Sequence, residues 1–345
     1  AYNRFKQFNL DAGHIANLKF SDGTTTAATL ANLVNNQVTI NGIVNAVKGG
    51  AIDGHLIFLS PNGIAVGSTG VINAGSFTGI VPTKDAFDKI YNANNSDASA
   101  TITQKAVEDI QKGAYATKGT INISGHINTR NGIMLGAGVI NINNGAVLQS
   151  TKNVQFTEVV NTGSNSGVAF AEGVGEGGDI ILKAKQSSVV NDTTIVKDQD
   201  GQDKIKPIRW SERSTDLSAA VNIGTNNTGA NSTTTDAKII NSDGAVKITA
   251  ESTSTYEDST PMTLTDTLKT AIFGNEQTVI DGLVDKLAKK EAGANKYLFV
   301  NYSNTKSKAS VNVGSNSAIK GNSIDMKAKS TVDIKQSVAG GAAGS

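Results

Sequence analysis

The chain has no cysteine in its 345 residues. No disulfide framework, thiolate metal site or cysteine nucleophile is therefore open to it. The same absence suits a chain that crosses an oxidising compartment unfolded, because a disulfide would lock a loop too wide to thread a pore. Proline is scarce at 4 residues and aromatics make up only 5%. So little aromatic bulk argues against one thick core and for a thin core filled layer by layer with short aliphatic side chains. Charge of either sign is not in excess, with 31 Lys and Arg against 30 Asp and Glu. No strong pull on nucleic acid or anionic lipid follows. No apolar run approaches the ~18 residues of a membrane helix. Ala1 opens without a basic-then-apolar leader, so the chain reads as either cytosolic or a mature, processed segment.

What the chain does have is a short unit that recurs with drift. Ala309-Ser310-Val311-Asn312-Val313-Gly314 is followed by Ser323-Ile324-Asp325-Met326-Lys327-Ala328-Lys329-Ser330. Upstream, Ala219-Ala220-Val221-Asn222-Ile223-Gly224 precedes Ala245-Val246-Lys247-Ile248-Thr249-Ala250-Glu251-Ser252. Each piece reads as a strand of three to five residues with alternating side chains, closed by Gly, Asn or Ser. Such strands bury a face only by stacking on copies of themselves, which predicts a solenoid. Ile121-Asn122-Ile123 and Ile140-Asn141-Ile142 are 19 positions apart, as are Phe58 and Phe77, while Val311 and Val332 are 21 apart. A period of roughly 20 residues fits a coil of three short strands and three turns at about 3.3 Å per strand residue. A leucine-rich repeat has similar length, but its Leu-x-x-Leu-x-Leu frame is missing. The expected fold is all-β, a parallel β-helix.

Residues 1–37 read as an N-terminal cap, with Phe5, Phe8, Leu10, Ile15, Leu18 and Phe20 at near-alternating positions. The β-helix is expected over 38–345 as one continuous domain. Leu56-Ile57-Phe58-Leu59 is apolar throughout, as in a strand covered on both faces, with the cap as the expected cover. Three excursions interrupt the rhythm. The first, about 82–118, carries helical patterns at Asp85–Tyr91 and Thr103–Lys112. The second, about 191–216, holds a polar hairpin signal with Asp200-Gly201 at its tip. In the third, about 257–297, Leu264, Leu268, Ile272, Val279, Ile280, Leu283, Val284 and Leu287 fall at helical spacing and predict a helical hairpin. The tail Gly340–Ser345 has no cap character, which suggests that the natural protein continues.

Val38–Val44, His55–Gly67 and Gly70–Ser76 together resemble the secretion domain of two-partner-secretion exoproteins, the family of filamentous haemagglutinin, large cytolysins and adhesins. The opening Ala1–Phe5 and the body look closest to the leukotoxin-type filamentous adhesins of fusobacteria. The resemblance is strong over residues 1–80 and diffuse beyond. The family's Asn-Pro-Asn-Gly-Ile turn stands here as Ser60-Pro61-Asn62-Gly63-Ile64, with Ser in place of the first Asn. Proline presets the turn, and Asn and Gly tolerate the left-handed backbone needed to leave it. The family's earlier Asn-Pro-Asn-Leu motif has no proline-bearing counterpart; Asn35-Asn36-Gln37 stands near that place. The resemblance implies a right-handed parallel β-helix with an N-terminal cap and extra-helical elements. It also implies recognition in the periplasm by the POTRA domains of an outer-membrane TpsB-type transporter, followed by release and folding outside the cell. The full-length protein would then meet the host cell surface.

Catalytic signatures are thin. His14, His55 and His126 are scattered, without carboxylate partners in sequence. Gly173–Gly178 has no Lys-Ser/Thr and leads into a strand, so it reads as a turn and not a phosphate loop. Asp198, Asp200 and Asp203 fail the EF-hand pattern, whose sixth and twelfth places fall on Asp203 and Arg209. Trp210, beside Arg209 and Arg213, is either a sugar platform or, more commonly, a packing residue. Asp179, Asp243 and Asp325 are singly placed and do not recur at coil spacing. No catalytic residue, metal, cofactor, nucleic acid or small-molecule substrate is expected. The alternative is a polysaccharide-binding or polysaccharide-cleaving β-helix. A third reading, pore formation by this segment, rests only on the amphipathic Leu264–Leu287 pattern.

Overall fold

The computed structural model describes residues 1–21, 24–92, 117–154, 156, 177–192, 195–197, 203–205, 208–225, 238–258, 298–315 and 317–336. Its first coil is β1 (Tyr2–Phe5), β2 (Phe8–Leu10) and β3 (Ile15–Lys19). The second is β4 (Thr29–Val34), β5 (Val38–Ile40) and β6 (Ile43–Lys48), with β7 (Ala51–Ile52) folded back on β6. The third is β8 (His55–Leu59), β9 (Ile64–Val66) and β10 (Val71–Ala74). The fourth is β11 (Ser76–Ile80), helix α1 (Lys84–Tyr91), β12 (Thr120–Ile123) and β13 (His126–Thr129). The fifth is β14 (Ile133–Ala137), β15 (Val139–Ile142) and β16 (Val147–Ser150). The sixth is β17 (Ile180–Asp192), the pair β18 (Ile195–Lys197) and β19 (Asp203–Ile205), then β20 (Ile208–Ile223) and β21 (Lys238–Ser242). The last strands are β22 (Ala245–Asp258), β23 (Leu298–Val313), β24 (Ser317–Lys320) and β25 (Ser323–Gln336).

Each coil gives one strand to each of three sheets. The first sheet runs β1-β4-β8-β11-β14-β17-β22-β25, the second β2-β5-β9-β12-β15-β20-β23 and the third β3-β6-β10-β13-β16-β21-β24. The pairings described along these paths are parallel, as between β5 and β9 or β11 and β14. This is a parallel β-helix. The register stacks like on like. Val38 lies on Ile64, Ile64 on Ile121, Ile121 on Ile140 and Ile140 on Val221. All five are 0% exposed, and each such side chain adds roughly 1.5–3 kcal/mol of burial free energy. The strands form because β-branched residues alternate with polar ones, so a single face meets the core. Corners turn tightly where backbones touch. At Gly125 a Cβ would collide with the carbonyl oxygens of Gly67 and Gly70, so only glycine fits there.

Asparagine columns run beside the aliphatic ones. In the third sheet Asn45 donates to Asn17 (2.9 Å), Asn73 to Asn45 (2.9 Å), Asn128 to Asn73 (3.0 Å) and Gln149 to Asn128 (2.8 Å). In the second sheet Asn141 donates to Asn122 (2.7 Å), Asn222 to Asn141 (2.9 Å) and Asn312 to Asn222 (2.7 Å). A buried amide such as Asn73 is met here by the amides above and below it, and leaving one unpaired costs about 1–3 kcal/mol.

The backbone packs as two compact units. The first holds Ala1–Ser187, Ser218–Ser252 and Lys308–Ser330. It contains the aliphatic core and both amide columns. The second gathers Ser188–Leu217, Thr253–Ser307 and Thr331–Ser345. Among its described residues are the antiparallel pair β18–β19, with Ile195 opposite Ile205, and the ends of the long strands.

Several expectations change. The strands of the drifting repeat are not three to five residues long: β20 and β23 have 16 residues and β22 and β25 have 14. The extensions, residues 208–217, 253–258, 298–308 and 331–336, hold no proline and no glycine, so no breaker ends the strand there. Of the three spacings used for the period, only Ile121 to Ile140 is a register pair. Phe77 pairs with Leu56, while Val311 and Val332 lie on strands of different sheets. The cover over Leu56–Leu59 is also different. Leu56 and Phe58 face the inner core, whereas Ile57 and Leu59 join Ala31, Leu33 and Ile80 under Phe87 and Ile90 of α1. The helix covers that outer face, because Phe87, Ile90 and Tyr91 fall on one side of it at three- and four-residue spacing, and of the N-terminal segment Tyr2 also packs against this cluster. Residues 1–37 supply the first coil and β4 of the second; Phe5, Phe8, Leu10 and Leu18 of the first coil lie half-buried against the core. The helical pattern at Thr103–Lys112, the 198–202 hairpin tip, the helical hairpin over 259–297 and the 340–345 tail lie outside the described residues; Glu257 and Asp258 end β22.

Candidate functional site

The turn Ser60–Ile64 joins the first sheet to the second, between β8 and β9. Ser60 follows an apolar strand and is fully buried, as is Ile64, while Asn62 is exposed. The Ser60 hydroxyl accepts from the Asn62 backbone N–H (3.2 Å) and donates to the Asn36 carbonyl (2.7 Å). The Asn62 amide donates to the Asn35 carbonyl (2.8 Å). Gly63 has φ +106°, a left-handed conformation that L side chains avoid. A Cβ there would stand 3.0 Å from the Thr120 carbonyl of the next coil. The Gly63 carbonyl accepts from the Val38 N–H (3.0 Å).

The structure therefore brings the two sequence candidates together. Asn35 and Asn36 form the turn beneath Ser60–Ile64, and the upper turn is fastened to the lower by two side-chain bonds. Asn35 and Asn36 are held in turn by the first coil, donating their N–H groups to the Phe5 and Lys6 carbonyls (both 3.0 Å). The Ser60 oxygen caps the Asn62 N–H and its proton reaches the coil below. The site is neutral, built from amides, a hydroxyl and backbone, and its geometry is that of a clip between coils.

No protein-family model, curated protein or solved structure matches the chain.

The remaining candidates lie apart from this turn. His55 opens β8, and its Nε2 is 2.8 Å from the Thr78 hydroxyl. Burial holds its pKa down at about 4, so the ring is neutral near pH 7. His14 and His126 are exposed. Gly177 and Gly178 precede β17, while residues 173–176 are outside the described residues. Asp203 lies in β19 and Trp210 in β20, while Asp198 and Asp200 are outside the described residues. No cluster with metal-ligand geometry occurs among the described residues.

The acids are not as isolated as their spacing suggests. Asp179 takes the Lys247 ammonium on one oxygen (2.8 Å) and the Ala245 N–H on the other (2.9 Å). These bonds lower its pKa, and the same contact raises that of Lys247. Asp243 accepts from the Lys152 N–H (2.7 Å), and Asp325 pairs with Lys327 (2.7 Å). Each carboxylate is already bonded to a cation or an amide. Sequence reading missed the Asp179–Lys247 pair, whose members are 68 residues apart. It also missed the asparagine columns, although the recurring Val/Ile-Asn-Val/Ile triplets carried that signal.

Proposed function

We propose that this chain is the N-terminal secretion-targeting domain of a large exported adhesin or toxin. POTRA domains of a cognate outer-membrane transporter take it up in the periplasm, and it nucleates β-helix folding outside the cell. The observation that carries this reading is the Ser60–Ile64 turn clipped onto Asn35–Asn36 within the first three coils. The turn is the most specific motif in the resemblance to two-partner-secretion exoproteins, and it sits where the earliest coils must lock together.

An unfolded chain rich in Gly and Asn, with half-apolar strands, can add a strand to an open sheet edge in the transporter's periplasmic domains, where main-chain bonds supply affinity. Outside, each completed coil templates the next. The Ser60 and Asn62 bonds fix the third coil on the second, so the nucleus resists sliding back. No cofactor and no catalysis are needed for this role, and the absence of cysteine leaves the chain free to thread.

The test is binding to isolated POTRA domains of the cognate transporter, with the chain either folded or freshly diluted from denaturant. The unfolded form should bind, and Asn62→Ala should weaken binding or slow refolding. Gly63→Pro should do more, because proline holds φ near −65° and cannot take the conformation at this position. A well-folded, β-rich chain that binds in neither state would remove the export reading.

A further inference from the structure

We propose that α1 is a latch that closes over the first coils once they have assembled and then sets how fast they come apart. The helix cannot hold itself. It has eight residues, and its N-cap Thr83 makes no side-chain bond to the first turn. Helices this short are marginal in water. Its Lys84–Asp88 ion pair is exposed and runs lysine first, the weaker order along a helix.

What holds the helix is a surface that no single coil supplies. The buried Phe87 and Ile90 share one apolar cluster with Leu33 of β4, Leu59 of β8 and Ile80 of β11, and Tyr2 of β1 packs against it. These four strands are consecutive in the first sheet and come from four successive coils. Tyr91 stacks on Phe87 with ring centres 5.2 Å apart. Its hydroxyl donates to the Phe5 carbonyl of the first coil (3.4 Å), 86 positions back. This footprint exists only when β1, β4, β8 and β11 lie side by side. The strands therefore come first and the helix second. Once closed, α1 touches all four coils, so none of them can peel away without lifting it. Contacts made after the folding barrier slow unfolding and leave the folding rate alone.

Paired substitutions at Lys89, an exposed position of α1, test this without altering the footprint. Lys89→Ala and Lys89→Gly differ in helix propensity. Pulse-labelling hydrogen exchange on the full chain, resolved by strand, follows both directions. During unfolding, Lys89→Gly should release the β4, β8 and β11 amides about fivefold faster than Lys89→Ala. Refolding of those strands should be the same in both. In the unmodified chain the α1 amides should gain protection after the strands do. Phe87→Ala, which removes the centre of the contact, should speed strand release further and still leave refolding unchanged. Protection of α1 no later than the strands would overturn the proposal. So would a refolding rate that falls as much as unfolding rises, or strand release indifferent to the Ala/Gly exchange. No transporter enters the measurement, so its outcome is separate from that of the export test.

Discussion

The first coils and the last differ in how much each needs its neighbour. Around β8 the sheet is buried on both sides. Phe58 meets Phe8 and Phe77 inside, at ring separations of 4.9 and 6.4 Å, and α1 seals Ile57 and Leu59 outside. Side-chain clips at Ser60 and Asn62 tie the coils together. In the last coil the apolar residues of β25 are open to solvent. A solenoid's stability is a sum of coil and neighbour terms. Unequal coils therefore contribute unequally, those around β8 more than the one that holds β25.

The largest expected difference is in packing. Phe58→Ala should destabilise the first coils by about 3–5 kcal/mol, whereas Met326→Ala should cost less than about 1 kcal/mol. Amide hydrogen exchange resolved by strand checks this, and similar protection losses at both ends would break the comparison.

Acid should soften the head selectively. His55 is held at a pKa of about 4 in the folded chain, below its ordinary value near 6.5. Between these values the unfolded chain binds a proton that the folded chain does not. Stability is therefore full above pH about 6.5, falls as pH drops toward about 4, and then levels, a loss of up to about 3 kcal/mol. Protection of β8 and β11 amides against pH should show this slope, and His55→Gln should flatten it.

The smallest effect sharpens the comparison in polar terms. Asn73→Ala removes one partner each from Asn45 and Asn128 within a buried column and should cost about 1–3 kcal/mol. Asn312→Ala, at the exposed end of its column, should cost about 0.5 kcal/mol or less. Urea unfolding followed at both ends would separate the two.

Much of the first unit was legible because its strands are short and locally specified. Val38–Ile40, Ile64–Val66 and Val71–Ala74 announce themselves by short β-branched runs and by the Gly or Asn that follows, and Leu56–Leu59 by its unbroken apolar run. Helix Lys84–Tyr91 was legible for the same reason, since its apolar residues recur at helical spacing. Stacking partners were less legible, because coils vary in length and excursions intervene. Asn73 finds Asn128 at a separation of 55 residues and Asn222 finds Asn312 at 90. A period fitted near 20 residues cannot anticipate either. The Ser60–Ile64 turn could be read as a turn, but not as a clip, because its acceptors lie 24 and 27 residues back on a different coil.

By itself the sequence determined that this chain makes short strands and tight turns with no thick core and no disulfide, for alternation, glycine placement and composition are local properties. Only the tertiary structure decided which asparagines share a column, that α1 covers the outer face of β8, and that Asn35 and Asn36 anchor Ser60 and Asn62. Those are choices of register, and register is fixed by how whole coils pack against one another.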